Sequence, residues 1–371
     1  MRHATIGEIL DVKTGKYDAN HAKSDGKYKF FTCALEPFMS DTFSFDDEVI
    51  ILPGNGANVG QVLYYKGKLE AYQRTYILHN IKEYPRYLFY YFKKNWIYQV
   101  TKRQVGSATN YIKMDDIISF NVPLPPLSTQ QKIAAILDAA DELRQKDKAL
   151  VAKYDELTQA LFLDMFGDPV TNPKGWEKVK FDELVSKACP LTYGIVQPGE
   201  EFPNGVPCVR PVDLTEQYIK VEKLKRIDPK ISSKFHRTLL KGGELLLSVR
   251  GSVGVISIAS ESLKGSNVTR GIVPIWFESN ISNKTFFYYL YNTVQIQQEV
   301  KRLAKGATLI QINLKDLREL KLIKPTIIIQ NQFAERVKAI EEQKSIAQAS
   351  ALKSEELFNS LLQKAFNGEL V

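Results

Sequence analysis

Cysteine and histidine are scarce in this chain. Three cysteines, Cys33, Cys189 and Cys208, and four histidines are scattered through 371 residues. They form no CxxC pair and no zinc-ligand spacing, so no metal site is expected, and unpaired thiols fit a reducing, cytoplasmic compartment. No run of 18 apolar residues occurs, which excludes a membrane-spanning helix. The stretch from Met1 to Asp11 is too polar and too short for a secretory signal. No GxxxxGK[ST] loop is present, and the glycine loop PGNGANVG at 53–60 reads GxGxxxG, not the dinucleotide fingerprint. There is no Asn-Pro-Pro-aromatic tetrapeptide for amino methylation. Glu342-Gln343-Lys344 has the spacing of a nuclease half-motif but falls in a helical pattern without a placed aspartate partner, and no Ser/His/Asp set stands out. No catalytic, cofactor or metal residues are therefore assigned.

What the chain does contain is a copy of itself, offset by 200 residues. Val100 falls on Val300, Gly106 on Gly306, Asp116 on Asp316, Pro125 on Pro325, Gln130 on Gln330, Leu157 on Leu357, Leu161 on Leu361 and Phe166 on Phe366. A period this long is a duplicated half-molecule, not a solenoid unit. It predicts a pseudo-dimer that reads something with two parts. At 371 residues and 44% hydrophobic content, two domain cores are affordable.

The pattern divides the chain at 1–122, 123–168, 169–325 and 326–371. Their formal charges are +3, −3, +9 and −1, so the net +8 belongs to the two large segments. A polyanion such as DNA is a reasonable partner, and a merely basic protein fits equally well. Segment 123–168 opens with PLPPLSTQQ, where the prolines disfavour helix and Ser128 with Gln131 resembles a capping box. Ile133, Ile136, Ala140, Leu143, Leu150, Tyr154, Leu157 and Leu161 then recur at alternating steps near 3 and 4, with Asp147 as the polar member. This predicts a coiled-coil seam on a rod of about 57 Å (about 38 residues at ~1.5 Å each). After Pro325, Phe333, Ile340, Ala347, Leu357 and Leu361 keep the same phase, with Ser350 and Ser354 also on the seam. A pseudo-twofold axis across the pairing requires the two helices to run antiparallel. The large segments look mixed α/β, with strand-like DEVIILP (47–53) and ELLLSV (244–249) and helical runs near 85–104 and 284–305. The fold expected is α+β: two pseudo-twofold-related globular domains separated by two long antiparallel coiled-coil helices.

This arrangement resembles the specificity subunit of type I restriction–modification systems, in which target recognition domains alternate with long helices. The resemblance covers essentially the whole chain. It rests on VPLPPLSTQQKIAAIL (122–137), LIKPTIIIQNQFAERV (322–337), the terminal LLQKAFNGELV, and the order and duplication of all of them. In the second copy Lys324-Pro325-Thr326 replaces the double proline. The resemblance implies a non-catalytic subunit that binds double-stranded DNA, one half-site per recognition domain. It also implies docking of two methyltransferase subunits, and of restriction subunits where the system has them, with S-adenosylmethionine and ATP/Mg held by those partners. Half-site centres about one helical turn apart, ~34–36 Å, lie within the reach of such a rod. The rival readings are a coiled-coil adaptor that ignores DNA and a standalone nuclease or methyltransferase.

Candidate DNA contacts come from positions where the two halves correspond. The loops PGNGANVG (53–60) and VRGSVG (249–254) contribute Asn55 and Arg250, and serve either as backbone approaches to phosphate or as tight strand connections. Glu48 is matched with Glu244, Gly60 with Gly254, and Arg74 with Arg270; the arginines suit phosphate contacts or structural ion pairs. Thr32 and Arg210 follow corresponding strands and could reach base edges, where divergence is what two different half-sites require. Ser107, Thr109, Lys305 and Thr308, around GSAT and KGAT, suit phosphates, although the glycines also suit a helix stop. The aromatic runs Tyr87–Phe92 and Phe286–Tyr291 have helical spacing and favour core packing over base stacking. Asp141, Glu142, Glu341 and Glu342 lie on the long helices as a solvated face or a partner-docking face.

Overall fold

The computed structural model describes residues 2–103, 110–306 and 310–371. They form two compact units, residues 1–149 with 347–371 and residues 150–346. In the first unit β1 (Arg2–Thr5), α1 (Ile6–Ile9) and β2 (Asp11–Thr14) lead into β3 (Tyr28–Phe31), β4 (Phe38–Ser40), β5 (Phe45–Pro53), β6 (Leu63–Ala71) and β7 (Thr75–His79). Then come α2 (Pro85–Arg103), α3 (Met114–Ile118), β8 (Asn121–Leu124) and α4 (Leu127–Phe166). Strands β2 to β7 form one sheet in the order β2-β7-β5-β6-β3-β4, antiparallel except for β3 against β6. The central strand β5 reads as a continuous apolar run because both its faces are covered. Ile50 and Leu52 enter the core shared with the helices, while Val49 and Ile51 face a smaller cluster with Phe31 and Leu69.

The second unit repeats this frame with a broken sheet. Its elements are β9 (Glu177–Lys180), α5 (Phe181–Leu184), β10 (Val206–Val209), β11 (Lys225–Ile227), α6 (Pro229–Ser232), β12 (Leu245–Ser248), β13 (Ile256–Ile258), β14 (Asn267–Val268) and β15 (Ile272–Ile275). They are followed by α7 (Lys284–Tyr291), α8 (Val294–Leu303), α9 (Leu314–Glu319), β16 (Lys321–Lys324) and α10 (Ile327–Asn367). Strand β12 pairs antiparallel with β13 and β15, as β5 does with β6 and β7. Strand β10 pairs parallel with β14, as β3 does with β6. One long strand of the first unit is thus replaced by two short ones, with a 3-10 turn at Glu261–Leu263 between them. The sheet divides into β11-β10-β14 and β13-β12-β15.

The helix expected over 284–305 is two helices. Gln130 Oε1 accepts from the Tyr84 amide at 3.0 Å and Gln330 Oε1 from the Asn283 amide at 2.9 Å, so the second copy starts this helix at an offset of 199. From Val300 onward the repeat runs at 200, which leaves one extra residue between. It is absorbed at Asn292-Thr293, where α7 stops and the Thr293 hydroxyl caps α8 by accepting from the Ile296 amide. The continuous α2 buries Tyr87, Leu88, Phe89, Tyr90 and Phe92, and α7 buries Phe286, Phe287, Leu290 and Tyr291. Both aromatic runs are core.

Within each unit a segment of α4 lies antiparallel to a segment of α10. In the first, Arg144 Nη1 meets Glu355 Oε1 at 3.1 Å and Ser350 Oγ donates to Asp147 at 3.1 Å. In the second, Lys344 Nζ meets Asp155 at 2.6 Å, and Phe333 packs edge-on against Phe162. The expected seam is half right. Ile133, Ala140, Phe333, Ala347 and Ser354 are buried, with Asp147, Tyr154, Ile340 and Leu161 partly so. Ile136, Leu143, Leu150, Leu157 and Leu357 are exposed, as is Ser350. A heptad pattern reports an apolar stripe, and it does not say whether the chain itself covers both of its flanks.

Gln130 and Gln330 anchor the two helix starts. Both are fully buried. Each Nε2 donates back to a proline carbonyl, Pro125 at 3.0 Å and Pro325 at 2.8 Å, while each Oε1 accepts from the amide of the residue just before α2 or α7. Removing the amide strands the buried partner groups at a cost of about 1–3 kcal/mol per unsatisfied group. Gln130→Ala is therefore expected to lower the urea midpoint of the first unit, and Gln330→Ala that of the second. Midpoints unchanged by the substitutions would show that the proline turns hold the helices without them.

Candidate nucleic-acid interface

At the carboxyl ends of β3 and β5 the first unit brings four loop segments together through backbone hydrogen bonds. The Tyr72 amide donates to Phe31 O (2.9 Å), Gly54 N to Arg74 O (2.9 Å), Ile112 N to Gly54 O (3.0 Å) and Gly56 N to Asn110 O (2.9 Å). Gln73 N donates to Tyr17 O at 2.9 Å. The second unit repeats each bond: Thr269 N to Val209 O (2.9 Å), Val249 N to Gly271 O (2.8 Å), Ile312 N to Val249 O (2.9 Å), Gly251 N to Ile310 O (3.1 Å) and Arg270 N to Ile195 O (2.7 Å). These bonds fix which residues correspond. Thr32 stands where Arg210 stands, Asn55 where Arg250 stands, and Tyr111 where Gln311 stands, the last two pairs bridging in both units.

The frame corrects two of the expected correspondences. The turn amide of Thr75 bonds to Tyr72 O and that of Ile272 to Thr269 O, so Arg270 corresponds to Gln73, and Arg74 to Gly271. Strand register places Pro53 opposite Thr75 and Ser248 opposite Ile272, so Glu244 corresponds to Val49, not Glu48. A slip of one residue in a strand turns a side chain to the other face. Glu244 is buried and caps the Lys241 and Gly242 amides at 2.6 and 2.9 Å, whereas Glu48 faces Tyr64 and Lys66. The pair Gly60 and Gly254 stands, with φ of +97° and +88°. Both loops turn back against the following helix: a Cβ at Gly60 would lie 2.3 Å from Ile97, and one at Gly254 3.3 Å from Val300.

The side chains on this frame differ sharply between the units. In the first, Thr32 is buried and its hydroxyl accepts from the Ala34 amide at 3.1 Å. The Cys33 thiol donates to Asn55 Oδ1 at 2.9 Å, and Asn58 donates to Cys33 O at 2.8 Å. Arg74 is exposed on the turn, and Tyr111 is 60% exposed beside Asn55. In the second, Arg210 is locked to Asp213 by two hydrogen bonds, Nε to Oδ2 at 3.1 Å and Nη2 to Oδ1 at 2.9 Å. That carboxylate holds the guanidinium above its ordinary pKa. Arg250 is half-buried and its Nε has no acceptor among the described residues. A Cβ at Gly271 would touch Pro211 at 2.5 Å and the Arg250 Cβ at 3.6 Å, which places the three positions side by side. Arg270 is exposed. Lys305 brackets Gln311 through paired backbone bonds of 2.9 Å, while its ammonium meets Asp316 at 2.8 Å and holds that carboxyl below the usual range. Ser107, Thr109 and Thr308 lie outside the described residues.

The model of the type I restriction modification DNA specificity domain matches residues 2–152 and again 173–353. The chain belongs to this family. The EcoDI specificity subunit of Escherichia coli is 26% identical, the match covering 98% of this chain and 87% of that protein. The EcoBI specificity subunit of the same organism is 23% identical over 78% of this chain and 66% of its own length. Specificity subunits are the non-catalytic component of their systems, and this chain is one of that kind. Among solved structures, the type I S subunit of M. genitalium superposes with a TM-score of 0.63 at 16% identity, covering 98% of this chain and 96% of that one. A structure addressing complex assembly of a type I system gives 0.55 at 18%, with coverage of 100% and 98%. At these identities the likeness speaks for the fold alone.

On the specificity-domain frame, sequence reasoning missed Gln73, Tyr111 and Gln311. The signal was there: Asn110-Tyr111-Ile112 falls on Ile310-Gln311-Ile312 in the 200-residue register, an exchange of the same kind as Thr32 for Arg210. The acidic positions proposed for docking divide. Asp141 is only 7% exposed and holds Arg144 and Gln145, and Glu341 accepts from Tyr289 Oη at 2.8 Å, so both face inward. Glu142 and Glu342 are exposed, Glu142 pairing with Lys146. Lys344 of the nuclease-like triplet is bound to Asp155. Burial pushes the Cys208 thiol up to about 12, which keeps it protonated. No group of histidine, cysteine and acidic side chains that could hold a metal occurs among the described residues, and no helix among them is long and apolar enough to cross a membrane.

The loop glycines supply a direct test of this frame. Gly60→Ala combines a left-handed backbone with a collision against Ile97 and is expected to destabilise the first unit by about 1–3 kcal/mol. A melting temperature unchanged from wild type would mean that the loop is not pinned to α2.

Proposed function

We propose that the chain is the DNA sequence-specificity subunit of a type I restriction–modification enzyme, each unit reading one half of a bipartite double-stranded target. The observation that carries this is the pair of matched loop clusters: one hydrogen-bonded frame, built twice, presenting Asn55, Gln73, Arg74 and Tyr111 in one copy and Arg210, Arg250, Arg270 and Gln311 in the other, while Thr32, at the position of Arg210, is buried and held by the Ala34 amide. Phosphate contacts position a reader and side chains at base edges give it specificity. Exposed Arg74, Arg270 and Lys305 suit phosphate; Asn55, Arg250, Gln311 and the Tyr111 ring suit bases. Arg210 spends part of its donor set on Asp213 and reaches outward with what remains. Methyltransferase subunits, two by the symmetry of the repeat, dock on the exposed heptad residues of the long helices with Glu142 and Glu342 at the rim. Restriction subunits join where the system has them. S-adenosylmethionine and ATP with Mg reside on those partners, and the assembly works in the cytoplasm.

Co-expression with the neighbouring methyltransferase, in a host without other methylation, tests this reading by mapping N6-methyladenine. A split motif with a fixed gap, absent without this chain, is expected. Soluble, copurifying proteins that leave no motif would favour the adaptor reading. Arg250→Ala should relax only one half of the motif, by about 1–3 kcal/mol at the base concerned. Arg270→Ala should weaken binding across sequences and lower the salt slope by about 0.9. Loss of specificity in both halves from either change would refute the modular assignment.

The docking surface makes a separate prediction. Leu143→Glu with Leu157→Glu should leave the melting temperature within a few degrees of wild type, because both side chains are already exposed. The same pair should abolish copurification of the methyltransferase. Intact assembly would place the docking surface elsewhere.

A further inference from the structure

The internal repeat exposes a vacancy in the second unit. A cavity of about 440 Å³ lies among α4, α7 and α10 within that unit, lined by Asp155, Phe162, Tyr288, Asn292, Glu341 and Lys344. The glutamine bonds that set α7 at an offset of 199 make Tyr288 the counterpart of Phe89, Tyr289 of Tyr90 and Asn292 of Lys93. On the long helices, at 200, Glu341 answers to Asp141, Lys344 to Arg144, Asp155 to Glu355 and Thr158 to Phe358.

In the first unit the corresponding space is filled. The Lys93 ammonium sits 5.3 Å from the Phe89 ring centroid, 5.4 Å from that of Phe358 and 3.9 Å from Asp141 Oδ1. The Arg144–Glu355 pair closes it on one side. The second unit keeps one ion pair, Lys344 with Asp155, and keeps the aromatic wall and the further carboxylate, Glu341. It lacks the two groups that plug the space: Asn292 carries a short neutral amide where Lys93 carries an ammonium, and Thr158 replaces a phenyl ring. What remains is Glu341, which accepts from Tyr289 and has no ion pair among the described residues, beside aromatic rings and an open volume, with Lys344 on the same wall committed to Asp155. An ammonium placed near the ring face and beside a carboxylate, as Lys93 is in the first unit, combines a cation–π contact with an ion pair.

We infer that this cavity binds an alkylammonium group, occupying the place that Lys93 takes in the first unit. Two sources present that chemistry, the lysine side chain of a partner protein and a free polyamine. The test is saturation-transfer NMR on the full chain with n-butylammonium, and n-butanol as the neutral control of equal shape. Transfer to butylammonium well above that to butanol is expected. Asn292→Lys, which supplies the ammonium from within, should abolish it. Glu341→Gln, which still accepts from Tyr289, should weaken it about fivefold, as expected for loss of a partly exposed charge partner. Equal transfer to both probes, or undiminished transfer in a folded Asn292→Lys protein, would overturn the inference. Spermidine binding at least tenfold tighter than butylammonium would assign the site to a free polyamine, and any smaller preference would assign it to a protein side chain.

Discussion

A buried carboxamide tolerates few surroundings, and in each unit the structure depends on satisfying one. Gln130 and Gln330 have lost water on all sides, so both donor and acceptor must find protein partners. They do so only when the proline turn, the start of the long helix and the first turn of α2 or α7 are brought together. That junction decides which face of the aromatic helix meets the long helix. It puts Tyr87 against Phe366 in one unit and Phe286 against Phe166 in the other. The aromatic core adds most of the burial energy, at roughly 1.5–3 kcal/mol per fully buried large side chain, but apolar contact is not directional. The amide supplies the direction, which explains why the glutamine is retained in both copies of a chain that has changed most of its surface.

The same logic explains what the sequence revealed and what it hid. Residues tied to the duplicated frame kept their spacing, so the two halves and the long helices were legible from an offset of 200, while Thr32 with Arg210 and the loops carrying Asn55 and Arg250 were legible from matched segments at shorter offsets. Errors gathered where the frame absorbs length. The extra residue at Asn292-Thr293 splits one helix, and the turns carrying Arg74 and Arg270 differ in register by one. A pattern match cannot detect such a slip, because two arginines one position apart look alike in sequence while their backbone hydrogen bonds assign them to different places. The long-helix seam was misread for another reason. Ile136, Leu143, Leu150 and Leu157 have heptad spacing, and nothing in that spacing distinguishes a stripe covered by the chain from one left open.

The proposed reading of two different sequences requires that frame and readout be separable. Backbone bonds such as Gly54 to Arg74 and Val249 to Gly271 are indifferent to side-chain identity, so exchanging Asn55 for Arg250 or Tyr111 for Gln311 alters what is presented without unfolding the loop. Some side chains are nonetheless constrained from within. Arg210 is held by Asp213 along one edge, which fixes its direction and reduces its freedom to search. Arg250 carries a buried Nε with no acceptor among the described residues. The first restriction sharpens geometry, whereas the second leaves a donor whose desolvation is compensated only when an acceptor arrives. The second cluster is therefore the more polar of the two.

The middle of the helix pairing carries a further consequence. Where a stable two-helix seam would be leucine-rich, each unit instead places Arg144 with Glu355, Asp147 with Ser350, or Lys344 with Asp155. Partly exposed pairs of this kind contribute little net stability, but a shifted register would set like charges or unpaired groups against one another, so they specify alignment more than they strengthen it. The apolar residues that could have strengthened the pairing, Leu143, Leu150 and Leu157, are left about half exposed. A chain selected only for its own stability would turn them inward. Their exposure is consistent with helices whose final stabilisation comes from outside, the intramolecular contacts setting register and the exposed leucines left for a partner to cover.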